Sequence, residues 1–514
     1  MSKIFRLSEL KVTKDVNRLA GATVCFGHFN TIHPGHVRHF RTACAHGKPL
    51  IVAVEGDAQL LSFRGDNIFQ EEERAQALAT LDLVDYVVIL DTGPLEAFLD
   101  QVNIANLVLG REFEDERAKK VVRAVEVIRS KGGTVIYDAG ETHYAGAELL
   151  YGTPGDLERG RWQAFEQVLQ TQNVSLSKVF SDINENKKPH ILVVGDTIVD
   201  RYVACDPVGM SNEAPVVVVK EIDTRDYVGG AGIVAAHIAA LGGHSTFLSV
   251  IGADSPGEFT KESLKKLGVK PILFEDPSRP TTFKIRYLVE NQKLFRVSRL
   301  KEHSLSREKE EQLIAEIEKH GQSADGVLVS DFVYGVITPR ILEAVRGVAA
   351  RRDIPLFGDL QCSSQVGNIL KFTDFSLICP TEREARIALG NRNDGVEYIA
   401  NLLINETRSA NTVLKLGGEG FIAYLGHEEK DTLLRRQHFP ALTAHPVDVT
   451  GAGDALLATM ATALTSGLSV MQASALACLV SAIAVQTVGN QPIGREQVRQ
   501  FYLQNSENGM IDAV

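Results

Sequence analysis

Two segments of the chain each open with a short apolar run, which meets a glycine-containing turn and continues into a helical pattern. They begin at Thr23 and at His190. A buried strand followed by a turn and a helix is typical of a parallel α/β unit. The pattern of apolar and polar positions therefore predicts two α/β regions in one chain.

The first region keeps alternating between strand and helix patterns. Apolar runs recur at Leu50 to Val54, Tyr86 to Leu90, Leu107 to Leu109 and Thr134 to Ile136, with a helical pattern near Glu71 to Leu81. Such alternation favours a compact, Rossmann-like domain. We assign this domain to residues 1–150.

The second region starts at the apolar run Ile191 to Val194 and alternates between strands and helices to about Leu503. It also contains two β-rich stretches, Val216 to Glu221 and Thr282 to Val289. We assign this second α/β domain to residues 189–505 and a polar tail to 506–514.

Between the two regions, Leu157 to Phe180 carries apolar residues at helical intervals and is followed by a polar stretch that ends at Pro189. This pattern predicts a connecting helix and a linker, together residues 151–188.

The bulk properties agree with a cytoplasmic protein of several domains. A chain of 514 residues exceeds the roughly 250 to 300 residues that one core supports. A net charge of -11 disfavours nucleic-acid or membrane-surface partners.

Met1 to Lys11 lacks the apolar stretch of a signal peptide, and polar residues interrupt Ala455 to Gly489, which predicts two buried helices. The six cysteines are scattered without a C-x-x-C pair, so we expect reduced thiols.

The most specific stretch is D-V-T-G-A-G-D, from Asp448 to Asp454, which is followed by a helix-forming run. At a helix amino terminus, the backbone amides of Gly451, Ala452 and Gly453 would converge on a phosphoryl group and form an anion hole. The carboxylate of Asp454 could then accept the proton of an attacking hydroxyl. An isolated glycine-rich turn whose aspartate caps a helix is the alternative interpretation.

This stretch resembles the PfkB, or ribokinase-like, carbohydrate kinases when it is taken with an upstream glycine motif that begins at Gly229 and Gly230. The resemblance covers about Ile191 to Val498. It implies a ribokinase-like α/β domain, ATP as the phosphoryl donor, and a sugar placed by the glycine motif.

Within that family, three segments are similar to the heptose-phosphate kinases of lipopolysaccharide precursor synthesis: Gly195 to Tyr202, Ser211 to Pro215, and Glu290 to Arg296. The resemblance implies that Asp196 and Asp200 bind sugar hydroxyls and that Asn291 and Arg296 face the substrate. It also implies that the β-rich stretches form a small β lid and the surface of a homodimer.

Two further matches concern the nucleotide and its metal. Pro380 to Glu384 is similar to the family's P-N-x-x-E, which implies a role for Glu384 in organising Mg²⁺, although Thr381 replaces the usual Asn. Lys415, Gly417 and Gly420 would line the nucleotide.

Two departures from the heptose kinases predict an altered sugar pocket. Ile233 and His237 stand where those kinases usually carry Asn, and Asp359-Leu-Gln361 stands in place of Asp-Pro-Lys. A buried Ile cannot hydrogen-bond a sugar hydroxyl.

Near the amino terminus, a second phosphate-binding pattern follows a strand and opens a helix. It contains Gly27, Phe29, Asn30, His33 and His36. The spacing of the two histidines puts both imidazoles on one helix face beside free amides, which suits the phosphates of a nucleoside triphosphate. Metal binding, or a capped helix with surface histidines, would also explain an H-x-x-H pair.

The full pattern resembles the cytidylyltransferase-like nucleotidyltransferases over about Ala22 to Leu150, and two later segments are similar to their heptose-1-phosphate adenylyltransferase branch: Glu71 to Ala75 and Val84 to Val88. His33 and His36 carry over as catalytic residues.

Three departures remove phosphate-binding groups: Asn30 replaces Asp, Cys44-Ala45 replaces a basic residue, and Tyr144 to Glu148 replaces a Ser/Thr-rich segment. The basic residues that could compensate are Arg41, Arg74 and Arg111.

Together the two domains resemble the bifunctional enzymes of ADP-heptose synthesis, in reversed order. The leading hypothesis is phosphorylation of a heptose 7-phosphate at C1 by ATP, followed by nucleotidyl transfer to the sugar 1-phosphate. A kinase for another sugar is one rival. A first domain that only binds nucleotide or supports assembly is the other.

Overall fold

The computed structural model describes residues 3–10, 13–30, 32, 34–60, 69–110, 121–137, 154–185, 188–214, 216–289, 292–362, 367–391, 394–426 and 435–505. The chain divides into two compact units, which are residues 1–153 with 391–399 and residues 154–390 with 400–514. The predicted tail, 506–514, lies outside the described residues. The domain boundaries predicted at 150, 188 and 505 stay predictions.

In the described part of the first unit, six strands form one parallel sheet in the order β1-β4-β3-β2-β5-β6. The strands are β1 (Ile4–Arg6), β2 (Thr23–Gly27), β3 (Leu50–Glu55), β4 (Tyr86–Leu90), β5 (Asn106–Leu109) and β6 (Thr134–Tyr137). The helices are α1 (Thr13–Leu19), α2 (Pro34–His46), α3 (Asp57–Leu60), α4 (Glu71–Ala79), α5 (Leu95–Gln101) and α6 (Val122–Ser130).

Both faces of this sheet are buried. Along β3, Ile51 and Ala53 join one apolar cluster, whereas Val52 and Val54 join another. Helices that cover both faces explain why this strand is a continuous apolar run rather than an alternating one. The predicted Rossmann-like architecture is confirmed.

In the described part of the second unit, nine strands form a sheet in the order β11-β10-β7-β14-β15-β16-β17-β18-β19. Its strands are β7 (His190–Gly195), β10 (His244–Ile251), β11 (Lys270–Glu275), β14 (Gly326–Asp331), β15 (Leu356–Leu360), β16 (Leu377–Ile378), β17 (Asn411–Lys415), β18 (Phe421–Leu425) and β19 (Arg436–Phe439). The pairs from β11 to β17 are parallel, and the last two pairs are antiparallel.

A separate four-stranded sheet has the order β13-β12-β8-β9 among the residues described. Its strands are β8 (Thr197–Met210), β9 (Val217–Gly230), β12 (Thr282–Val289) and β13 (Gln292–Arg299). Val199 and Phe283 are among the residues of its own small apolar cluster. This sheet is the predicted β lid, and the ribokinase-like architecture with a lid is confirmed.

From Pro154 to Asn505, the described ranges contain eleven α-helices. They are α7 (Pro154–Thr171), α8 (Leu176–Glu185), α9 (Ala231–Ala240), α10 (Ser255–Lys266), α11 (Arg307–Gly321), α12 (Pro339–Arg352), α13 (Glu382–Leu389), α14 (Val396–Thr407), α15 (Ala452–Thr465), α16 (Val470–Ala484) and α17 (Arg495–Asn505). The predicted pair of buried helices is confirmed by α15 and α16, which pack against each other. No helix in the described ranges is long and apolar enough to cross a membrane, and all six cysteines are free thiols.

The segment predicted as a connecting helix and linker forms α7 and α8. Phe165 and Leu169 of α7 and Val179 of α8 are buried in the core cluster of the second unit. These helices are therefore part of the packed body of this unit.

Candidate active site

The anion hole predicted at the start of α15 is built around a left-handed glycine. Gly451 is the N-cap residue and has φ 85°. A Cβ at this position would lie 2.2 Å from Oδ1 of Asn490, so both the backbone conformation and the space require glycine. The amides of the first turn of a helix have no partner within the helix, and they are available to an anion.

Asp454 lies in the first turn of α15 and is 4% exposed. Its Oδ1 accepts a hydrogen bond of 2.6 Å from Nε2 of Gln361. Burial, reinforced by the charge of Asp359, raises the pKa of this carboxyl to about 8, although the ammonium of Lys415 acts in the opposite direction. A base with a pKa close to the working pH is suited to accept a proton from a hydroxyl.

Lys415 supplies a cation beside the anion hole. Its Nζ lies 2.6 Å from Oδ2 of Asp359, and it would lie 3.2 Å from a Cβ placed on Gly453. Burial would lower the pKa of this lysine, but the carboxylates of Asp359 and Glu384 outweigh burial and raise it. Burial raises the pKa of Asp359 to about 7, against the effect of Lys415. Lys415 therefore keeps its charge next to the helix terminus.

Asp200 also lines the cleft, and it is held by a buried ion pair. Its Oδ1 accepts a hydrogen bond from Arg286, and its Oδ2 accepts one of 3.0 Å from Nδ2 of Asn490. A Cβ on Gly229 would lie 2.3 Å from the same Oδ2. The glycine motif therefore allows the backbone to approach this carboxylate closely.

Three basic side chains line the cleft near Asp200: Lys284, Arg286 and Arg296. Nζ of Lys284 lies 5.4 Å from the ring centre of Phe332. The lining around Asp200 therefore carries three basic side chains, one of which, Arg286, is paired with this carboxylate.

Asp196 stands behind the cleft. It is 1% exposed, and its carboxylate accepts hydrogen bonds from the amides of Phe332, Tyr334 and Val336. Burial and the neighbouring Asp331 raise its pKa to about 7. Asp196 thus shapes the loop after β14, and a direct contact with a sugar hydroxyl stays a prediction.

The two departures in α9 do not reach the cleft. Ile233 is fully buried in the core, and His237 is 2% exposed. Nδ1 of this histidine accepts the amide of Ile493, and burial lowers its pKa to about 4, so it is neutral. Ile233 and His237 thus belong to the packing of the helix, and an altered sugar pocket stays a prediction, for which Gln361 is the departure that lines the cleft.

Glu384 lines the cleft and also closes a capping box at the start of α13. Its Oε2 accepts the amide of Thr381 at 2.8 Å, and its Oε1 accepts the amide of Cys362 at 3.0 Å. Thr381 is the residue that departs from the family pattern. Its hydroxyl oxygen donates no hydrogen bond to Glu384 but accepts one of 3.2 Å from the backbone amide of Glu384. The replacement keeps the helix capped.

Several residues of the site were not predicted from the sequence. Asn490 lines the cleft, and its Oδ1 has no hydrogen-bond partner among the described residues. Gly489, with φ 82°, precedes it and was a usable signal of a special turn. Gln361, which the sequence marked only as a departure, contacts the predicted base directly.

Asp448 connects the lid to the catalytic stretch. Its Oδ1 accepts a hydrogen bond of 2.7 Å from Nζ of Lys293, which lies on lid strand β13. Its Oδ2 accepts one of 2.6 Å from the hydroxyl of Tyr202, which lies on β8. Burial would raise the pKa of this carboxyl, but the hydrogen bonds from Lys293, Tyr202 and Thr450 lower it to about 2. Asp448 is the first residue of the predicted motif, but its partners Lys293 and Tyr202 are far from it in sequence.

One cleft of about 540 Å³ collects most of the predicted kinase residues. Its lining includes Asp200, Gly230, Arg296, Glu384, Lys415, Gly417, Gly420, Gly451, Ala452, Gly453 and Asp454. Asn291 lies outside the described residues.

In the first unit, the phosphate-binding pattern follows β2. Phe29 is buried with φ 47°, and His36 packs edge-on against its ring at 5.1 Å between ring centres. A bulky residue with positive φ is strained, which is common at functional loops. A Cβ on Gly27 would lie 3.1 Å from the ring of Phe29. His33, Arg111 and residues 144–148 lie outside the described residues.

Arg74, proposed above as a compensating phosphate ligand, has another role. Its side chain is fully buried. It donates to the carbonyl oxygens of His28, Glu55 and Phe69 and to the carboxylate of Asp57. Its donors are thus used to hold the loops after β2 and β3, so it does not replace a lost phosphate contact.

Residues 188–496 match the model of the pfkB family of carbohydrate kinases. The chain belongs to this family. Residues 24–144 match the Cytidylyltransferase-like model, so the kinase domain is preceded by a cytidylyltransferase-like domain.

Curated relatives of the chain carry the name Bifunctional protein HldE. The chain is 33% identical over 306 residues to the Bifunctional protein HldE of Trichlorobacter lovleyi, which covers 59% of this chain and 60% of the relative. It is 31% identical over 318 residues to the protein of the same name from Campylobacter jejuni, covering 61% and 65%. The matches thus span about three-fifths of these relatives' length.

Among solved structures, the chain is similar to phosphofructokinase-2 from Escherichia coli in complex with potassium. The TM-score is 0.51 at 16% identity, and the match covers 62% of this chain and 99% of that chain. At this identity the likeness shows a common fold.

Proposed function

We propose that the kinase unit transfers the γ-phosphoryl group of ATP to the hydroxyl of a sugar phosphate. The observation that carries this proposal is the meeting, in one cleft, of the buried carboxylate of Asp454, the amino terminus of α15 and the ammonium of Lys415. The acceptor oxygen forms a bond to the γ-phosphorus as the bond to the β–γ bridging oxygen breaks. Asp454 takes the hydroxyl proton, and ADP leaves.

The terminal amides of α15 and Lys415 stabilise the negative charge of the migrating phosphoryl group. Such preorganised donors supply most of the catalysis in phosphoryl transfer, because the protein contributes little covalent chemistry. Gln361 holds Oδ1 of Asp454 and orients the carboxylate.

Mg²⁺ belongs to this proposal. Asp359 and Glu384 are buried carboxylates that lie close enough to Lys415 to raise its pKa. Within the described ranges, no three His, Cys, Asp or Glu side chains are grouped so that they could hold a metal ion. Two carboxylates suit an ion that is bound mainly by phosphate oxygens and water. When bound, the ion would neutralise charge on the phosphates of ATP.

The acceptor proposed is a heptose 7-phosphate that is phosphorylated at C1. Lys284, Arg286 and Arg296 support an anionic acceptor, because they line the end of the cleft where Asp200 lies. Arginine and lysine are the usual ligands of phosphate groups.

A panel of sugars with and without a phosphate group, each with ATP and magnesium, tests the acceptor. We expect turnover with phosphorylated sugars and the highest kcat/KM for a seven-carbon 7-phosphate. Arg296→Ala should raise the KM of phosphorylated acceptors only. Equal kcat/KM for the phosphorylated and unphosphorylated forms of one sugar would refute the anionic acceptor and favour a kinase for another sugar.

For the first unit we propose nucleotidyl transfer to the resulting sugar 1-phosphate, with His33 and His36 at the phosphates. A domain that binds nucleotide without catalysis is the second candidate, since Arg74 and Asn30 are both engaged in holding loops; Oδ1 of Asn30 accepts the amide of Phe69 at 2.8 Å. Release of pyrophosphate from ATP or CTP in the presence of sugar 1-phosphate separates the two candidates.

We also propose a homodimer that forms through the lid. Large apolar side chains are exposed on its strands and on the turn between β8 and β9, among them Val208, Met210, Val217, Ile222 and Phe295, each more than half exposed. Exposed apolar side chains in this number favour association. Light scattering of the parent chain and of Val217→Asp tests the proposal, with a monomeric parent as the outcome that rejects it.

A further inference from the structure

Helix α7 belongs to neither family match, because one match ends at residue 144 and the other begins at residue 188. It is nevertheless anchored in the kinase unit. Phe165 and Leu169 are in the core, and Trp162 lies 5.7 Å, ring centre to ring centre, from Phe501. The helix is therefore a fixed element against which another segment can be held.

The polar residues of α7 bind the chain that follows β19. Nη1 of Arg161 donates to the carbonyl oxygen of Thr443 at 2.8 Å, and Oε1 of Glu158 accepts the amide of Ala444 at 3.2 Å. The two residues are three positions apart, so they share one face of the helix. Two successive backbone groups of this segment are thus tied to α7.

The same segment forms one wall of the cleft. Pro440, Ala441, Leu442, Thr443 and Pro446 all line it, together with Gly417, Gly418 and Gly420. Gly417 and Gly420 are the residues that the family resemblance puts against the nucleotide. The side of the segment remote from α7 therefore faces the space proposed for ATP.

We propose that Glu158 and Arg161 are positioning residues for the nucleotide, which act by holding the 440–446 wall in its binding conformation. This inference rests on the proposed function and on the family resemblance, which puts the nucleotide against Gly417 and Gly420. A wall that is held in advance does not have to be ordered by the ligand, and preorganisation of this kind raises affinity. Neither residue touches the reacting atoms.

The test compares the full chain with the double variant Glu158→Ala/Arg161→Ala. Loss of two hydrogen bonds should raise the KM for ATP about five- to tenfold. The kcat and the KM of the acceptor should stay within about twofold, because the anion hole and the acceptor end are unchanged. The affinity for ADP, measured by calorimetry, should fall by the same factor as the KM for ATP rises.

Matched variants separate positioning from general loosening. Gln163→Ala/Gln167→Ala changes two exposed residues of the same helix and should keep the parent's KM for ATP. Glu158→Gln keeps an oxygen acceptor for the Ala444 amide, so it should bind ADP more tightly than Glu158→Ala. This single pair decides the question if the double variant does not fold.

Two outcomes overturn the inference: an unchanged KM for ATP in the double variant, or an equal rise in the KM values of ATP and acceptor with a lower melting temperature. A parent chain that binds ADP but phosphorylates no sugar would refute the proposed function instead. In that case the loss of ADP affinity in the double variant would still support the positioning role.

Discussion

The two units use their buried polar groups differently. In the kinase unit, the polar groups of distant segments meet at one cleft, with Asp454, Lys415 and Asn490 all facing it. In the first unit, the buried guanidinium of Arg74 donates four hydrogen bonds, to three carbonyl oxygens and one carboxylate. A basic residue near a phosphate site can thus act as a ligand only where the fold leaves its donors available.

The largest expected effect separates the two units directly. Asp454→Asn should lower the kcat of sugar phosphorylation by about a thousandfold, since a positioned general base contributes 10²–10⁴-fold. Binding of ADP should be retained, because the amide keeps the shape of the carboxylate. Steady-state rates and calorimetry measure the two effects, and a kcat equal to that of the parent would contradict the assignment of the base.

His36→Ala is the corresponding change in the first unit. If this unit is catalytic, the rate of pyrophosphate release should fall by about a hundredfold or more, while sugar phosphorylation stays at the parent's rate. Both products can be followed in one reaction mixture by ion-exchange chromatography. Unchanged pyrophosphate release in this variant would remove the histidine from the mechanism, and no release from the parent would favour a binding domain.

The pH profile sharpens the contrast within the cleft. The pKa of Asp454 is raised to about 8, so its carboxylate form, and with it kcat/KM for the acceptor, should fall about tenfold per pH unit below that value. Asp359→Asn removes a charge that raises this pKa and frees the ammonium of Lys415, which lowers it. The acid limb should therefore move to lower pH.

Asp374→Asn is the control for this profile, because Asp374 forms an exposed ion pair with Arg408 on the surface. Its profile should coincide with that of the parent. If the acid limb of Asp359→Asn stays in place or moves to higher pH, Asp359 does not raise the pKa of Asp454 as we infer.

The smallest expected effect concerns the lid. Lys293→Met should raise the KM of the acceptor about two- to fivefold, because the partly exposed ammonium ties β13 to Asp448 and exposed ion pairs contribute little. Lys293→Arg can keep the ion pair and should restore most of the affinity. Equal acceptor KM values in the parent and in both variants would show that this contact does not position the lid.

Local pattern was sufficient for the architecture and for the catalytic stretch. Strand and helix periods are properties of neighbouring residues, and the anion hole is formed by consecutive amides that precede Asp454. For the same reason two of the four lid strands, the first part of β9 and all of β12, were visible as β-rich stretches. These features need no knowledge of which distant segments meet.

Tertiary structure decided the rest, because it joins residues that no local pattern relates. Asn490 reaches Asp200 across 290 positions, Lys293 reaches Asp448 across 155, and Arg161 reaches Thr443 across 282. Tertiary structure also placed Ile233 and His237 in the core and engaged the guanidinium of Arg74 in hydrogen bonds to nearby loops. By itself the sequence determined which chemistry the chain carries, whereas packing determined which side chains are free to perform it.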